Sequence, residues 1–291
     1  MAAQVGYRAA AYSSPADSSD QWYFTNDDLA NTPSQSGSDY STSPAAKMLS
    51  AADEQDLRLR GCNFIHNVVQ RLQMHQFVAS TACVLFHRFY MRQSLASYHH
   101  YQMAGACVLL ASKIEENRRS LNEISLACAY VALKGRAKEA AKSQETWERL
   151  LKRQEIVLLQ NCCFDMEVTH PYAFIDTLAL EFAIPVFIAK SATAHVNDCL
   201  RSTVCLRYPP RIIAVAALYL AIGIHAYDFQ GSLFESRQVT LPDNAMAEVE
   251  LCAMDMLAFY RREAEAEKEV ARIQQQQQQQ KQRHWQQRPL T

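Results

Sequence analysis

Between about residues 50 and 262 apolar positions recur three and four apart, the spacing that lines one face of an α-helix. Leu57, Phe64, Ile65, Val68, Val69 and Leu72 form one stripe behind Ser50 and Asp53, which read as a capping-box start, so a first helix runs to about Gln73. A second spans about Gln76 to Arg92 through Phe77, Val84, Leu85 and Phe89, and a third carries Met103, Cys107, Leu110 and Ile114. Ser120 with Glu123 opens a fourth that stops near Gly135, where the preference for glycine past a helix end applies. A fifth, about Lys142 to Cys163, contains Trp147, Leu150, Leu151, Leu158 and Leu159.

The pattern then restarts. Thr169 ahead of Pro171 begins a helix through Phe174, Ile175, Leu178 and Phe182. Pro185 opens the next, through Ile188, Val196, Cys199, Leu200 and Leu206, and Pro209-Pro210 breaks it and starts a third from Ile212 to His225. Around Gly231 to Pro242 any fourth helix must be short, and Met246, Val249, Cys252, Met256 and Phe259 give a last one. Laid over each other, Ala104 to Lys113 and Ala214 to Gly223 match at four of ten positions. The overlay fits a duplicated five-helix unit and also two unrelated helical halves.

Composition narrows this further. Only 7 of the 291 residues are Gly, too few and too far apart for a phosphate-cradling glycine loop or a hairpin-rich β protein. The charge is −1, with 29 Lys and Arg against 30 Asp and Glu, and the acidic excess of the first fifty residues is balanced by a basic excess after residue 260. The core between them lacks the electrostatic footprint of a nucleic-acid binder. The longest apolar run, Ile212 to Ile224, is too short to span a bilayer, and no secretory signal is expected. Nine Cys with no Cys-x-x-Cys read as core thiols in cytosol or nucleus, and no metal site or cofactor is expected.

Residues 1–50 contain ten Ser and few large aliphatics, so most of this arm is expected to lack order. Trp22, Tyr23 and Phe24 interrupt it as an aromatic motif, Trp22-Tyr23-Phe24-Thr25, placed to dock on the chain's own core or on a partner. Ser14-Pro15, Thr32-Pro33 and Ser43-Pro44 are sites that a proline-directed kinase could modify, though such dipeptides are common in Ser-rich arms. Arg261 to Ile273 continues the last helix with charged residues, and the seven-Gln run after it is expected to be solvated and low in structure.

Lys113 closes a helix that is apolar on nearly every side, so its charge must reach solvent or meet a carboxylate. Glu155, on the fifth helix ahead of Ile156-Val157-Leu158-Leu159, is the candidate. Together they form either a face that binds backbone groups of a partner, ringed by Leu110, Ile114, Leu159 and Phe164, or only an intramolecular pair or snorkelling side chains. No catalytic constellation appears beside them.

At these residues the chain resembles the cyclins. Ala-Ser-Lys-Ile-Glu-Glu at 111–116, and Glu155 with Phe164-Asp165, are similar to a first cyclin box. His87-Arg88-Phe89-Tyr90-Met91, the aromatic arm motif and Arg207-Tyr208-Pro209-Pro210 are similar to the transcriptional cyclins of the T and K group, in a short fungal type. The resemblance implies an all-α protein: an arm at 1–50, a kinase-binding first box at 51–165, a second box at 166–262, and a charged helical extension with a Gln-rich tail at 263–291. It also implies a nuclear regulatory subunit, itself no enzyme, that pairs with a cyclin-dependent kinase. That pair would phosphorylate the RNA polymerase II tail and promote elongation, meeting the transcription machinery through the kinase, with no direct nucleic acid and no membrane. Lys113 and Glu155 would contact the kinase near its C helix, with Leu110, Ile114, Leu159 and Phe164 packing against it.

Two features depart from the family. The Met-Arg-Ala-Ile-Leu docking segment of cell-cycle cyclins has no counterpart between Leu57 and Val69, and the sequence has no long extension after the second box. The alternatives are a cyclin C- or L-like subunit of another transcription or RNA-processing kinase, a TFIIB-like DNA-binding repeat factor, a stand-alone enzyme, or a helical scaffold. The TFIIB type carries a zinc ribbon ahead of a basic core, whereas residues 1–50 hold no Cys.

Overall fold

The computed structural model describes residues 21–37, 48–242 and 244–286, and contains no strand among them. Two short helices, α1 (Asn26–Ala30) and α2 (Pro33–Ser36), lead into α3 (Ala51–Arg71), α4 (Gln76–Phe89), α5 (His100–Ile114), α6 (Leu121–Ala132) and α7 (Ala137–Asn161). The second set is α8 (Pro171–Glu181), α9 (Val186–Cys199), α10 (Pro210–Ile224), a 3-10 turn at Leu233–Glu235, and α11 (Ala245–Gln286). Ser50 accepts the Asp53 N–H at 3.1 Å, and Ser120 with Glu123 forms a full capping box, so the predicted helix starts are made by the predicted groups.

The two sets are copies in one register. α4 and α9 span 76–89 and 186–199, and α5 and α10 span 100–114 and 210–224, so each pair is displaced by 110 residues without insertion or deletion. The same step relates the left-handed residues that end the helices: Gln73 and Ala183 both have φ of 50°, and Glu116 and Ala226 have 52° and 47°. Left-handed backbone is costly for residues with a Cβ, so its recurrence at matched non-glycine positions marks a common turn design. The sequence overlay of 104–113 on 214–223 lies in this register.

Each copy buries its own core around its third helix. α5 packs against α3, α4, α6 and α7, and α10 against α8, α9 and α11, which is why these two helices are apolar on nearly all sides. Close approach needs glycine at two places: a Cβ on Gly61 of α3 would lie 2.1 Å from Phe86 Cζ, and one on Gly105 of α5 would lie 2.9 Å from Leu151 Cδ2.

Two expectations are corrected, and two features of the arm are located. α9 stops at Cys199; Leu206 belongs to a separate 3-10 turn, Thr203–Leu206, started by Ser202, whose hydroxyl oxygen accepts the Val204 N–H. α11 continues helical through the Gln run to Gln286, because Gln is a good helix former and no glycine or proline interrupts it. The described part of the arm is ordered, for a reason that composition hides: Trp22 is 1% exposed, inside the core of the first unit. Thr32, one of the three Ser/Thr-Pro positions, is buried with its hydroxyl donated to Glu54; phosphate there would put added negative charge against a buried carboxylate. Ser14-Pro15 and Ser43-Pro44 lie outside the described residues.

Candidate functional site

The C-terminal end of α5 and the middle of α7 lie side by side, and Lys113 Nζ donates to Glu155 Oε1 across them. Lys113 is 48% exposed and Glu155 16%, so the pair sits at the surface with the carboxylate half sunk between helices. Ile114 and Leu159 are partly buried against the first core, and Leu110 is buried beneath them. Leu110 therefore supports this face from below and is not part of its outer surface. Ile156, next to Glu155, is 59% exposed, and Phe164 is 65% exposed. Phe164 stands on left-handed backbone, φ 57°, fixed by its N–H to the Leu159 carbonyl at 2.9 Å. That bond closes the end of α7 and holds a large apolar ring out in solvent one turn beyond Leu159. Sequence reasoning did not single out Ile156, although its place beside Glu155 on a helix was the available signal.

Just after Phe164 the chain turns inward. Asp165 Oδ2 accepts from Trp22 Nε1 at 2.8 Å and from Gln21 Nε2 at 3.0 Å. Arg88 of α4 and Arg92 in the turn after it hold their guanidinium groups 5.0 and 4.7 Å from the Trp22 ring, and Arg92 also donates to Cys163 Sγ. Phe24 packs on the first core while its N–H reaches the Leu206 carbonyl in the second unit at 2.8 Å. Tyr23 lies between them at the cleft separating the units. The aromatic motif thus docks on this chain and ties its halves together.

The HRFYM segment does related work. His87, Arg88, Phe89 and Tyr90 are all buried. His87 Nε2 lies 3.2 Å from the Leu200 carbonyl of the second unit, and Arg88 Nη1 donates to the Glu167 carbonyl in the linker. Arg58 of α3 donates to the Tyr90 and His87 carbonyls at 3.0 and 3.3 Å and pairs with Glu54, which also accepts from Thr32 and Gln35 of the arm. Glu54 and Arg58 were missed because their i, i+4 spacing on a helix reads as an ordinary surface pair. Only the arm folding over them takes both out of water. Among the described residues no group of three or more candidate ligands is arranged to hold a metal.

Two consecutive units in one register, five helices in the first and four in the second with a 3-10 turn in fourth place, and a Lys–Glu pair on the outer face of the first, define a tandem cyclin-box protein. Family models for the cyclin N-terminal and C-terminal domains match residues 34–167 and 170–289, together most of the chain, and the chain belongs to the cyclin family. It is 38% identical to cyclin pch1 of Schizosaccharomyces pombe over 206 residues, 69% of this chain and 57% of that protein. To cyclin-K of Danio rerio it is 32% identical over 213 residues, 72% of this chain and 47% of the relative. The chain thus spans about half the length of the curated relatives it matches. Its fold resembles a chain of the yeast RNA Pol II CTD kinase CTDK-1 complex, with TM-score 0.67, 18% identity, and coverage of 82% of this chain and 72% of the other.

Proposed function

We propose that this cyclin is the regulatory subunit of a transcription-type cyclin-dependent kinase and that Lys113, Glu155 and the apolar groups around them form the kinase-binding face. The observation that carries the reading is the Lys113–Glu155 pair set at the surface between exposed Ile156 and Phe164. Charged groups already paired and oriented can exchange into hydrogen bonds with a partner's backbone, while the apolar groups supply buried area. A kinase needs the ion pair between its β3 Lys and its C-helix Glu before it can position ATP phosphates. A protein that packs against that helix raises the population of the active arrangement without touching substrate. The chain then needs no catalytic residue or cofactor of its own.

The transcription type rests on the T- and K-like arm and HRFYM segments and on the identity with cyclin pch1 and cyclin-K. By that likeness the partner phosphorylates the RNA polymerase II C-terminal repeats, and the pair works in the nucleus. The test is co-purification of the full chain from cell extract, followed by kinase assay on a repeat peptide. Lys113→Ala with Glu155→Ala removes both charges together, leaves no unpaired carboxylate, and is expected to change stability by less than about 1 kcal/mol. It should lose the kinase while keeping its helical circular dichroism. Full recovery of kinase activity by the folded double variant would refute the interface.

A further inference from the structure

A cavity of about 260 Å³ lies between the two units. At ~30 Å³ per water it has room for eight or nine, below the about 300–1,000 Å³ of pockets that take whole ligands. It suits a small head group. Two helices begin at its wall, α8 at Pro171 and α10 at Pro210, and neither is capped by a side chain at its start. Pro171 and Pro210 have no N–H, and the Ile212 N–H turns back to the Pro209 carbonyl at 3.0 Å, so it is the positive end of the helix dipoles that favours an anion here.

The side chains point the same way. Arg88, more than nine-tenths buried, lines the cavity and donates one hydrogen bond, to the Glu167 carbonyl at 3.2 Å. Arg211 lines it from the first turn of α10, and its Nε is buried without a hydrogen-bond partner among the described residues. His170 has a side chain only 9% exposed. Its Nε2 is held 2.8 Å from Thr81 Oγ1, and its other ring nitrogen, Nδ1, is buried with no partner among the described residues. Two carboxylates also line the wall. Asp165 is already committed to Trp22 and Gln21, and Glu167 belongs to an exposed residue at the rim.

Because the Thr81 hydroxyl donates to Glu115, its oxygen is left to accept from His170 Nε2–H, which makes Nδ1 a bare acceptor. A fitting ligand therefore carries negative oxygens for two guanidinium groups and one O–H for Nδ1. We propose that the inter-unit cavity is a binding site for a phosphate monoester, held by Arg88, Arg211 and the first turns of α8 and α10, with its acidic hydroxyl on His170. A phosphate monoester with a second pKa near 6 still carries that proton in part near neutral pH, whereas sulfate does not. The site joins both units, since Arg88 belongs to the first and Arg211 to the second.

The test is a titration of the full chain followed by calorimetry and thermal melting, in chloride at matched ionic strength. The probes are inorganic phosphate, sulfate, and a phosphoserine peptide with its unphosphorylated twin. Phosphate should bind saturably and raise the melting temperature, with sulfate weaker. Arg211→Gln, a change at a partly exposed position, should keep the helical spectrum and lose roughly tenfold to hundredfold in affinity, the size of one charge-assisted hydrogen bond. Val168→Glu, which adds a carboxylate to the wall, should lose binding as well. A phosphopeptide more than about tenfold tighter than inorganic phosphate assigns the occupant to a phosphorylated protein segment, and equal or weaker peptide binding assigns it to free phosphate compounds. No saturable phosphate binding up to about 10 mM, sulfate as tight as phosphate, or full affinity in Arg211→Gln would each overturn the assignment.

Discussion

Gly61→Ala and Gly223→Ala are the same substitution inside two helices, and the structure gives them opposite signs. Alanine gains about 1 kcal/mol over glycine in a helix interior through propensity alone. At Gly223, in the last turn of α10, a new Cβ meets nothing within 4 Å, so part of that gain should appear as stability. At Gly61 the new Cβ would stand 2.1 Å from Phe86 Cζ and 2.8 Å from Cε1 and Cε2, against about 3.5–4.0 Å for ordinary carbon contacts. The ring must retreat by well over an ångström. It has little room, because Phe86 is fully buried and packed edge-on against Tyr90 at 4.9 Å and His87 at 5.8 Å. Overpacking of this kind costs about 1–3 kcal/mol and sometimes more, which meets or exceeds the propensity gain. A severe clash in so rigid a place belongs at the upper end, for a net loss of about 1–3 kcal/mol.

At about 2–4 °C per kcal/mol for a chain of this size, Gly61→Ala should melt about 2–12 °C lower and Gly223→Ala about 1–3 °C higher. Urea unfolding followed by circular dichroism should give the same order. Gly61→Ala as stable as the parent would show that α3 and α4 can move apart freely, and the argument from close approach would fail.

Three further outcomes follow from burial. Arg58→Met strands Glu54 in a buried site and should cost about 3–5 kcal/mol in urea melts, while Arg60→Met, which breaks only the exposed pair with Asp56, should cost less than about 0.5 kcal/mol; equal costs would contradict the buried network. Trp22→Ala empties a core position and should cost about 3–5 kcal/mol and open the arm to limited proteolysis, whereas an unchanged melt would mean that the arm does not hold the first unit together. Burial first, and then His99, lowers His100 to about 4, so between about pH 6.5 and 4 the unfolded chain binds more protons and stability falls as pH falls. In His100→Gln the melting temperature should decline less over that window than in the parent, and identical slopes would remove His100 as a cause.

The helices and their duplication were legible because they depend on local periodicity: the stripes from Leu57 to Leu72 and from Met103 to Ile114 form the helix faces that line the first core. Lys113 and Glu155 were also legible, since a charge at the edge of an apolar helix has few ways to be satisfied. The fate of the arm was not. Trp22 reads as a residue that must dock, but its acceptor Asp165 lies 143 positions away and its cationic neighbours lie at the end of α4 and in the turn after it. Thr32-Pro33 looked like a flexible phosphorylation site because the dipeptide is local information, while its burial comes from Glu54 on another element. The Gln tail differs for the opposite reason: its low complexity suggests little structure, while the helix propensity of Gln, local information too, carries α11 through it to Gln286.

The motif residues that carried the family resemblance divide by what they touch. His87 reaches the second unit and Arg88 the linker, while Tyr90 and Trp22 are sunk in the first core; all four are buried, so they define the frame and leave little for a partner to contact. Outward chemistry is left to positions where the copies differ. Lys113 in α5 corresponds to Gly223 in α10, and Glu115 to His225. Glu115 accepts from Thr81 of α4 and lies 3.6 Å from His170 of the linker, pinning the end of α5 two residues beyond Lys113. His225 instead stands edge-on to the Phe187 ring of α9 at 5.4 Å. A matched helix end is thus anchored by a carboxylate in one copy and by an aromatic contact in the other. Precise placement of a surface charge needs such an anchor, and only the first unit has both. The duplication therefore explains why the partner face is assigned to one unit: the second repeats the scaffold but not the charged groups.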